Sequence, residues 1–261
     1  MGMQQRDIEV RVSRLPEGAK FEMHVRGGES PESRMDVKDL DCLPSVVRNR
    51  VTKTSEVAVK VYLSSCGLKR VPSWVFDLAQ LTRGELSENR LTWLDLSDNQ
   101  LTCLPPEIRS LSSLRYLHLA ENQLTCLPPE IRSLFSLAVL NLAENQLTCL
   151  PREIGELKKL TELYLEKNRL TALSSEIRKL KKLEKLDLSD NWLTALPSKI
   201  GRLTNLTWLN LSYNRLTALP EGISGLGKLA CLGLLGCGLS SEVVAEVKRL
   251  VPQGCEVHVY V

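Results

Sequence analysis

One phrase of sequence returns every 23 residues, and that period constrains the chain more than its composition does. Asn99, Asn122, Asn145, Asn168, Asn191 and Asn214 stand 23 apart, each inside L-x-L-x-x-N-x-L-T-x-L, usually followed by Pro. A fixed period of this length marks a stacked array, in which each unit packs only on its neighbours and none buries its apolar side alone. Such an array counts as one domain whatever its length.

Within each unit, leucines fall three and five residues before the Asn and alternate with polar residues. One side of a short strand therefore faces a core, and strands of successive units stack in parallel. On the return half, Ile108, Leu111 and Leu114 are three apart. That spacing fits 3₁₀ turns, or a single short helical turn, better than a long α-helix.

The ends depart from this pattern. Over residues 1–35, Ile8, Val10 and Val12 alternate with charged residues, Leu15-Pro16-Glu17-Gly18 is turn chemistry, and Phe21, Met23 and Val25 alternate again. This predicts a β-hairpin that caps the first edge of the array, with Gly27 to Pro31 as a flexible connection. The array is expected over residues 36–238, starting imperfectly at Leu40-x-x-Leu43-Pro44, with Cys66 in the first Asn slot.

Asn89 is 23 beyond Cys66, but Asn99 follows only 10 later, too few residues for a complete unit. Asn99 keeps step with every later unit and has Leu94 where Asn89 has Gly84. The expectation is that Leu94 to Leu96 carries the strand, that Arg83 to Leu91 bulges out on the return side or at an edge, and that the array is irregular over 80–94. Cys237 again takes the Asn slot, after which residues 239–261 form a closing unit. There Ser240 caps a helix through Val243, Val244, Val247 and Leu250, and Cys255 to Val259 forms a last strand with Val257 in step with Leu234.

The run Leu117-His118-Leu119-Ala120-Glu121-Asn122-Gln123-Leu124-Thr125-Cys126-Leu127-Pro128-Pro129-Glu130-Ile131 resembles the typical 23-residue class of leucine-rich repeat. The resemblance covers roughly residues 40–260. Within that class the chain is similar to intracellular Ras-group and scaffold-type repeat proteins and to repeat arrays of bacterial pathogens. It implies an α/β solenoid, a horseshoe with a concave parallel β-sheet and short helical or 3₁₀ turns on the convex side. It also implies a scaffold or adaptor that binds a protein, with a small GTPase or another signalling protein among the partners the resemblance suggests. The alternative it leaves is the targeting half of a secreted bacterial effector or immune-sensor system, acting with a partner in trans.

Composition narrows the function classes. With 43% hydrophobic and 25% charged residues and a net charge of +3, the chain is ordinary for a soluble protein and lacks the basic excess of a nucleic-acid binder. No segment approaches the ~20 apolar residues of a membrane span, and the first residues hold no apolar leader, so a cytoplasmic location is expected. Met1-Gly2 is followed by Arg6 where myristoylation favours Ser or Thr.

Eight cysteines raise disulfides and metals as questions. Cys103, Cys126 and Cys149 share one slot, filled further on by Ala172, Ala195 and Ala218, which reads as a small, half-buried packing position. All eight are expected to be reduced, and thiols in a straight column do not surround a tetrahedral ion. His24, His118 and His258 have no nucleophile motif beside them, so neither catalysis nor a cofactor is expected.

Recognition is then expected on strand residues two, four and six before each Asn, and on the adjoining rim. Three of the four tryptophans and four of the five tyrosines map there, namely Tyr62, Trp93, Tyr116, Tyr164, Trp192, Trp208 and Tyr213. Aromatics with polar handles are usual anchors of protein interfaces, although they also suit exposed strand positions by propensity. The candidate partner-binding residues are Trp93, Asp95, Tyr116, His118, Asn141, Glu162, Tyr164, Asp187, Trp192, Trp208, Asn210 and Tyr213. Trp74, Phe76 and Phe135 are expected to pack. The acidic residues of the same face favour a partner with basic and apolar residues.

Overall fold

The computed structural model describes residues 8–14, 21–26, 33–37, 58–80 and 90–259. Its strands are β1 (Ile8–Arg14), β2 (Phe21–Arg26), β3 (Ser33–Val37), β4 (Ala58–Tyr62), β5 (Arg90–Asp95) and β6 (Tyr116–His118). They continue as β7 (Val139–Asn141), β8 (Glu162–Tyr164), β9 (Lys185–Asp187), β10 (Trp208–Asn210), β11 (Cys231–Gly233) and β12 (Glu256–His258). All twelve form one open, uncurled sheet in the order β12 through β4, then β1, β2 and β3.

Strands β4 to β12 pair in parallel with a 23-residue register through the clean coils, as in Leu117↔Leu140↔Leu163↔Leu186↔Leu209. The inward leucines of each strand are fully buried, as are Ile108, Leu111 and Leu114 of the return half. That return half is a 3₁₀ turn, Pro106–Ser110, and its backbone shows why the apolar spacing is three. Ile108 N bonds Pro105 O, Leu111 N bonds Ile108 O, and Leu114 N bonds Leu111 O, each over three residues. The same turn recurs at Pro129–Ser133, Arg152–Glu156, Ser175–Lys179, Ile200–Arg202 and Glu221–Gly225.

The asparagine of each coil is buried and ties it to the preceding one. Asn145 Nδ2 donates to Leu142 O (3.2 Å), Ala143 O (3.0 Å) and, one coil back, Leu119 O (2.8 Å), while its Oδ1 accepts from Leu124 N at 2.9 Å. A carboxamide supplies both donors and an acceptor where the turning backbone leaves such groups unpaired. Asn99 does the same toward Leu63 O and Leu68 N, so it is the true corner of its coil. Cys66 and Cys237 occupy corners as expected, with thiols on Ser64 O (3.4 Å) and Leu211 O (3.2 Å). The residue before each corner adopts a left-handed backbone, from Ser65 (φ 56) to Tyr213 (φ 55) and Gly236 (φ 65).

Several expectations need correction. Arg90 and Leu91 do not bulge out: they pair with Ala58 and Val59 as the start of β5, Leu91 is buried, and the register slips by one at Thr92. The extra residue is thus a β-bulge within the sheet; Asn89 and the rest of that irregular stretch lie outside the described residues, as does Leu40 to Pro44. The N-terminal segment is a three-stranded antiparallel meander rather than a hairpin alone, because β3 pairs with β2, and β1 joins β4 in parallel. In the first coil the return half is a true helix, α1 (Ser73–Gln80), with Trp74 and Phe76 buried against the core.

At the other end, Ser240 caps helix α2 (Ser241–Leu250) through Val243 N, as expected. Val257, however, pairs with Leu232 rather than Leu234. An α-helix rises about 1.5 Å per residue against about 2.0 Å for 3₁₀, so the closing coil needs two more residues for the same span. Phe135 is 57% exposed instead of packed, and Cys103, Cys126 and Cys149 are exposed rather than half-buried. Their slot sits on the outside of the descending chain, where a small side chain is tolerated and not enclosed.

Candidate functional site

Because the register is unbroken from the Lys60–Trp93 pair to β11, the outward residues of the sheet line up in two rows. One runs Lys60, Trp93, Tyr116, Val139, Glu162, Lys185, Trp208, Cys231, and the other Tyr62, Asp95, His118, Asn141, Tyr164, Asp187, Asn210, Gly233. Adjacent members stand one strand spacing apart, about 4.8 Å, so their side chains touch. The rows divide into three groups.

The first group is aromatic. The Trp93 ring lies 4.8 Å from Tyr116, 4.8 Å from His118 and 6.1 Å from Tyr62 between centroids. Arg11, brought alongside by the β1–β4 pairing, sits 4.3 Å over Tyr62, and Arg115 sits 5.9 Å from the Tyr116 centroid. Trp93 Nε1 and His118 Nε2 are buried without a hydrogen-bond partner. Burial pushes the His118 pKa below its usual value, against the opposing pull of the Asp95 charge.

The second group is charged. Tyr164 Oη donates to Glu162 Oε2 at 2.7 Å, and Lys185 Nζ pairs with Glu162 Oε1 at 3.1 Å. Burial and the Glu162 carboxylate raise the Tyr164 pKa well above its ordinary value, so the phenol stays a donor. Burial pushes Glu162 up, but the bonds from Tyr164 and Lys185 outweigh it and hold this carboxyl low. Glu166 goes the other way: burial raises its pKa, Asp187 and Glu144 add to the shift, and its Oε2 is buried without a partner.

The third group lies toward the C-terminal end. Trp208 and Asn210 are half-buried on β10, and Asn210 Nδ2 reaches Asp187 Oδ2 at 3.3 Å. Trp192 and Tyr213 flank corners, so they stand on the edge of the array rather than on the sheet, 44% and 56% exposed. The Arg215 guanidinium covers the Trp192 ring at 5.3 Å.

Four of the candidate residues have a structural task that the sequence reading overlooked. Asp95, Asn141, Asp187 and Asn210 each accept from the backbone N–H two residues on, at Ser97, Ala143, Ser189 and Ser212. This Asx-type bond ends the strand and turns the chain toward the corner. Asp187, also bonded by Ser189 Oγ at 2.6 Å, is buried and offers little to a partner. The strand-end slot shows the signal in sequence: Asp or Asn recurs there, followed two residues later by a small residue. Arg11 was missed because its place beside Tyr62 depends on a pairing between distant strands. Glu166 stands out only by comparison, in a slot that other clean coils fill with Ser or Ala.

Among the described residues no group of three or more His, Cys, Asp or Glu is placed to hold a metal ion, and no helix is long and apolar enough to cross a membrane.

A family model for a leucine-rich repeat region matches residues 85–186 and 163–252. No curated protein matches the sequence. Among solved structures, an internalin (inlF) from Listeria monocytogenes is similar with a TM-score of 0.60 at 20% identity, over 80% of this chain and 64% of that one. TLR13, in a complex with ssRNA13, aligns with a TM-score of 0.55 at 31% identity, over 71% of this chain and 25% of its own. The Arabidopsis receptor kinase HAESA, in complex with the peptide hormone IDA and the co-receptor SERK1, gives 0.54 at 24% identity, over 69% and 29%. The chain thus spans less than two thirds of each of these proteins.

Proposed function

The chain belongs to the leucine-rich repeat family, and from that premise we propose that it is a non-catalytic module that holds a protein partner on its exposed sheet face, as a scaffold or adaptor in the cytoplasm. The observation that carries this reading is the outward ring cluster of Tyr62, Trp93, Tyr116 and His118, half-buried side chains that fill no core. Large rings already ordered by their neighbours lose little freedom on binding and bury much area, which is how interface anchors work. Toward the C-terminal half, Glu162, Tyr164, Glu166 and Trp208 extend the surface with carboxylates and further rings.

Such a face fits basic and apolar residues of a protein, with a small GTPase or another signalling protein as the class the family resemblance brings. A single-stranded RNA, as in the TLR13 complex, suits it poorly, because phosphates would meet Glu162 and Glu166. The test is retention of proteins from lysate on the immobilised full chain and on a Tyr116→Ala, Tyr164→Ala, Trp208→Ala variant shown by circular dichroism to be folded. A partner retained by the first and lost from the second supports the sheet face. Equal retention by both removes it.

A further inference from the structure

Among the described residues three large apolar side chains stand exposed, and two of them, Trp192 and Tyr213, lie on neighbouring coils of the corner edge. Neither fills the core, and Tyr213 is costly where it stands. It occupies the left-handed slot before the corner at φ 55, where other coils use Ser, Asp, Glu, Lys or Gly. A bulky ring gains nothing for the backbone there.

The next coil is shaped around it. A Cβ on Gly236 would lie 2.5 Å from Tyr213 Cδ1, so only glycine leaves room for the ring where it stands. Gly238 follows at the slot that Trp192 and Arg215 hold in their coils, and a Cβ there would meet nothing within 4 Å. The edge beyond Arg215 is therefore open. Arg215 itself is exposed, rests on the Trp192 ring at 5.3 Å, and has no carboxylate partner among the described residues.

The charge of this edge also changes along the array. Asp98, Glu121 and Glu144 take the slot before the first three asparagine corners, with glutamines after them; further on, Arg169 and Arg215 flank Trp192, and Asp190 is the acid between them. An arginine held over an indole keeps its fork of donors facing outward and loses little entropy when a carboxylate engages it.

We infer that Trp192, Tyr213 and Arg215, with the Tyr213 ring over Gly236 and open space at Gly238, form a second docking edge, which takes an acidic segment of a partner protein. A carboxylate of that segment pairs with Arg215, and an apolar side chain beside it lies against the two rings. This edge is separate from the sheet face and asks for the opposite charge in its ligand.

The probe is a displayed library of random dodecapeptides selected on the full chain, followed by affinities of the enriched synthetic peptides. Enrichment of Asp or Glu next to Phe, Tyr or Leu is expected. Those peptides should bind R215E and Trp192→Ala at least about tenfold more weakly, as loss of a charge-assisted contact predicts. They should bind the Tyr116→Ala, Tyr164→Ala, Trp208→Ala variant unchanged, which separates this edge from the sheet-face proposal. Peptides with the acid replaced by Lys should bind R215E better than the unaltered chain. No enrichment, enriched peptides that R215E binds equally well, or displacement of the peptides by a single-stranded oligonucleotide that binds more tightly would each overturn the inference.

Discussion

The indole of Trp93 and the imidazole of His118 stack at 4.8 Å, and each ring carries a buried nitrogen with no hydrogen-bond partner. A protonated imidazole would have to sit desolvated in that stack, and burial accordingly lowers the His118 pKa from 6.5. The folded chain thus binds the proton less readily than the unfolded one. Stability from this group is fully present above about pH 6.5 and is lost as pH falls through the lower folded-state value. Urea midpoints at pH 7.5 and pH 5 should fall further for the native chain than for His118→Phe, which keeps a ring without a proton to accept. Equal losses would show that the imidazole does not carry this dependence.

Asn145 makes four bonds, two within its own coil and two to the one before, so removing its amide leaves backbone groups buried and unpaired in both. Asn145→Ala should cost about 3 kcal/mol. Asn145→Cys should cost less, because a thiol in this slot keeps one bond, as Cys237 does to Leu211 O. Because coils couple only to neighbours, the loss should also broaden the unfolding transition. Equal midpoints for the two variants would mean the corner tolerates any small side chain.

How much of this was legible in sequence depended on how local the cause was. The strand, corner and 3₁₀ turn of each coil are written in 23 residues, so the sequence alone places Asn99, Ile108 and Leu117. The pairing of β1 with β4 joins residues far apart in the chain, and with it the position of Arg11 over Tyr62 stayed hidden. Burial on the outside of a turn was also unreadable: Phe135 looks like core and Cys103 looks half-enclosed, yet both are exposed, because what decides is which way the descending chain faces. Of the candidate surface, the aromatic members were legible from their slots. The strand-ending bonds of Asp95 and Asp187 were not, since an Asx bond and an exposed carboxylate write the same letter.

Glycines on the return side offer a test of how tightly the coils stack. A Cβ on Gly201 would come 1.8 Å from Gly222 O, a backbone atom that cannot step aside alone. Gly201→Ala should destabilise by about 2 kcal/mol or more, as overpacking does. Gly227→Ala, with nothing within 4 Å, should be neutral or stabilise by up to about 1 kcal/mol through the unfolded chain. Denaturant midpoints of the two variants decide this; similar losses would mean the turns stack more loosely than described.

The cysteines divide by exposure, which sets a labelling order. Cys103, Cys126 and Cys149 are exposed, whereas Cys66 and Cys237 are buried corners, and burial also raises the Cys237 pKa. Cys231 and Cys255 lie between, each with its thiol pKa raised mainly by burial. The thiolate is the reactive form, so access and pKa act in the same direction here. Iodoacetamide at neutral pH followed by peptide mass mapping should modify the three column thiols first, Cys231 and Cys255 more slowly, and Cys66 and Cys237 only on unfolding. Early loss of Cys237 would show that the closing coil with α2 opens far more readily than the coils before it.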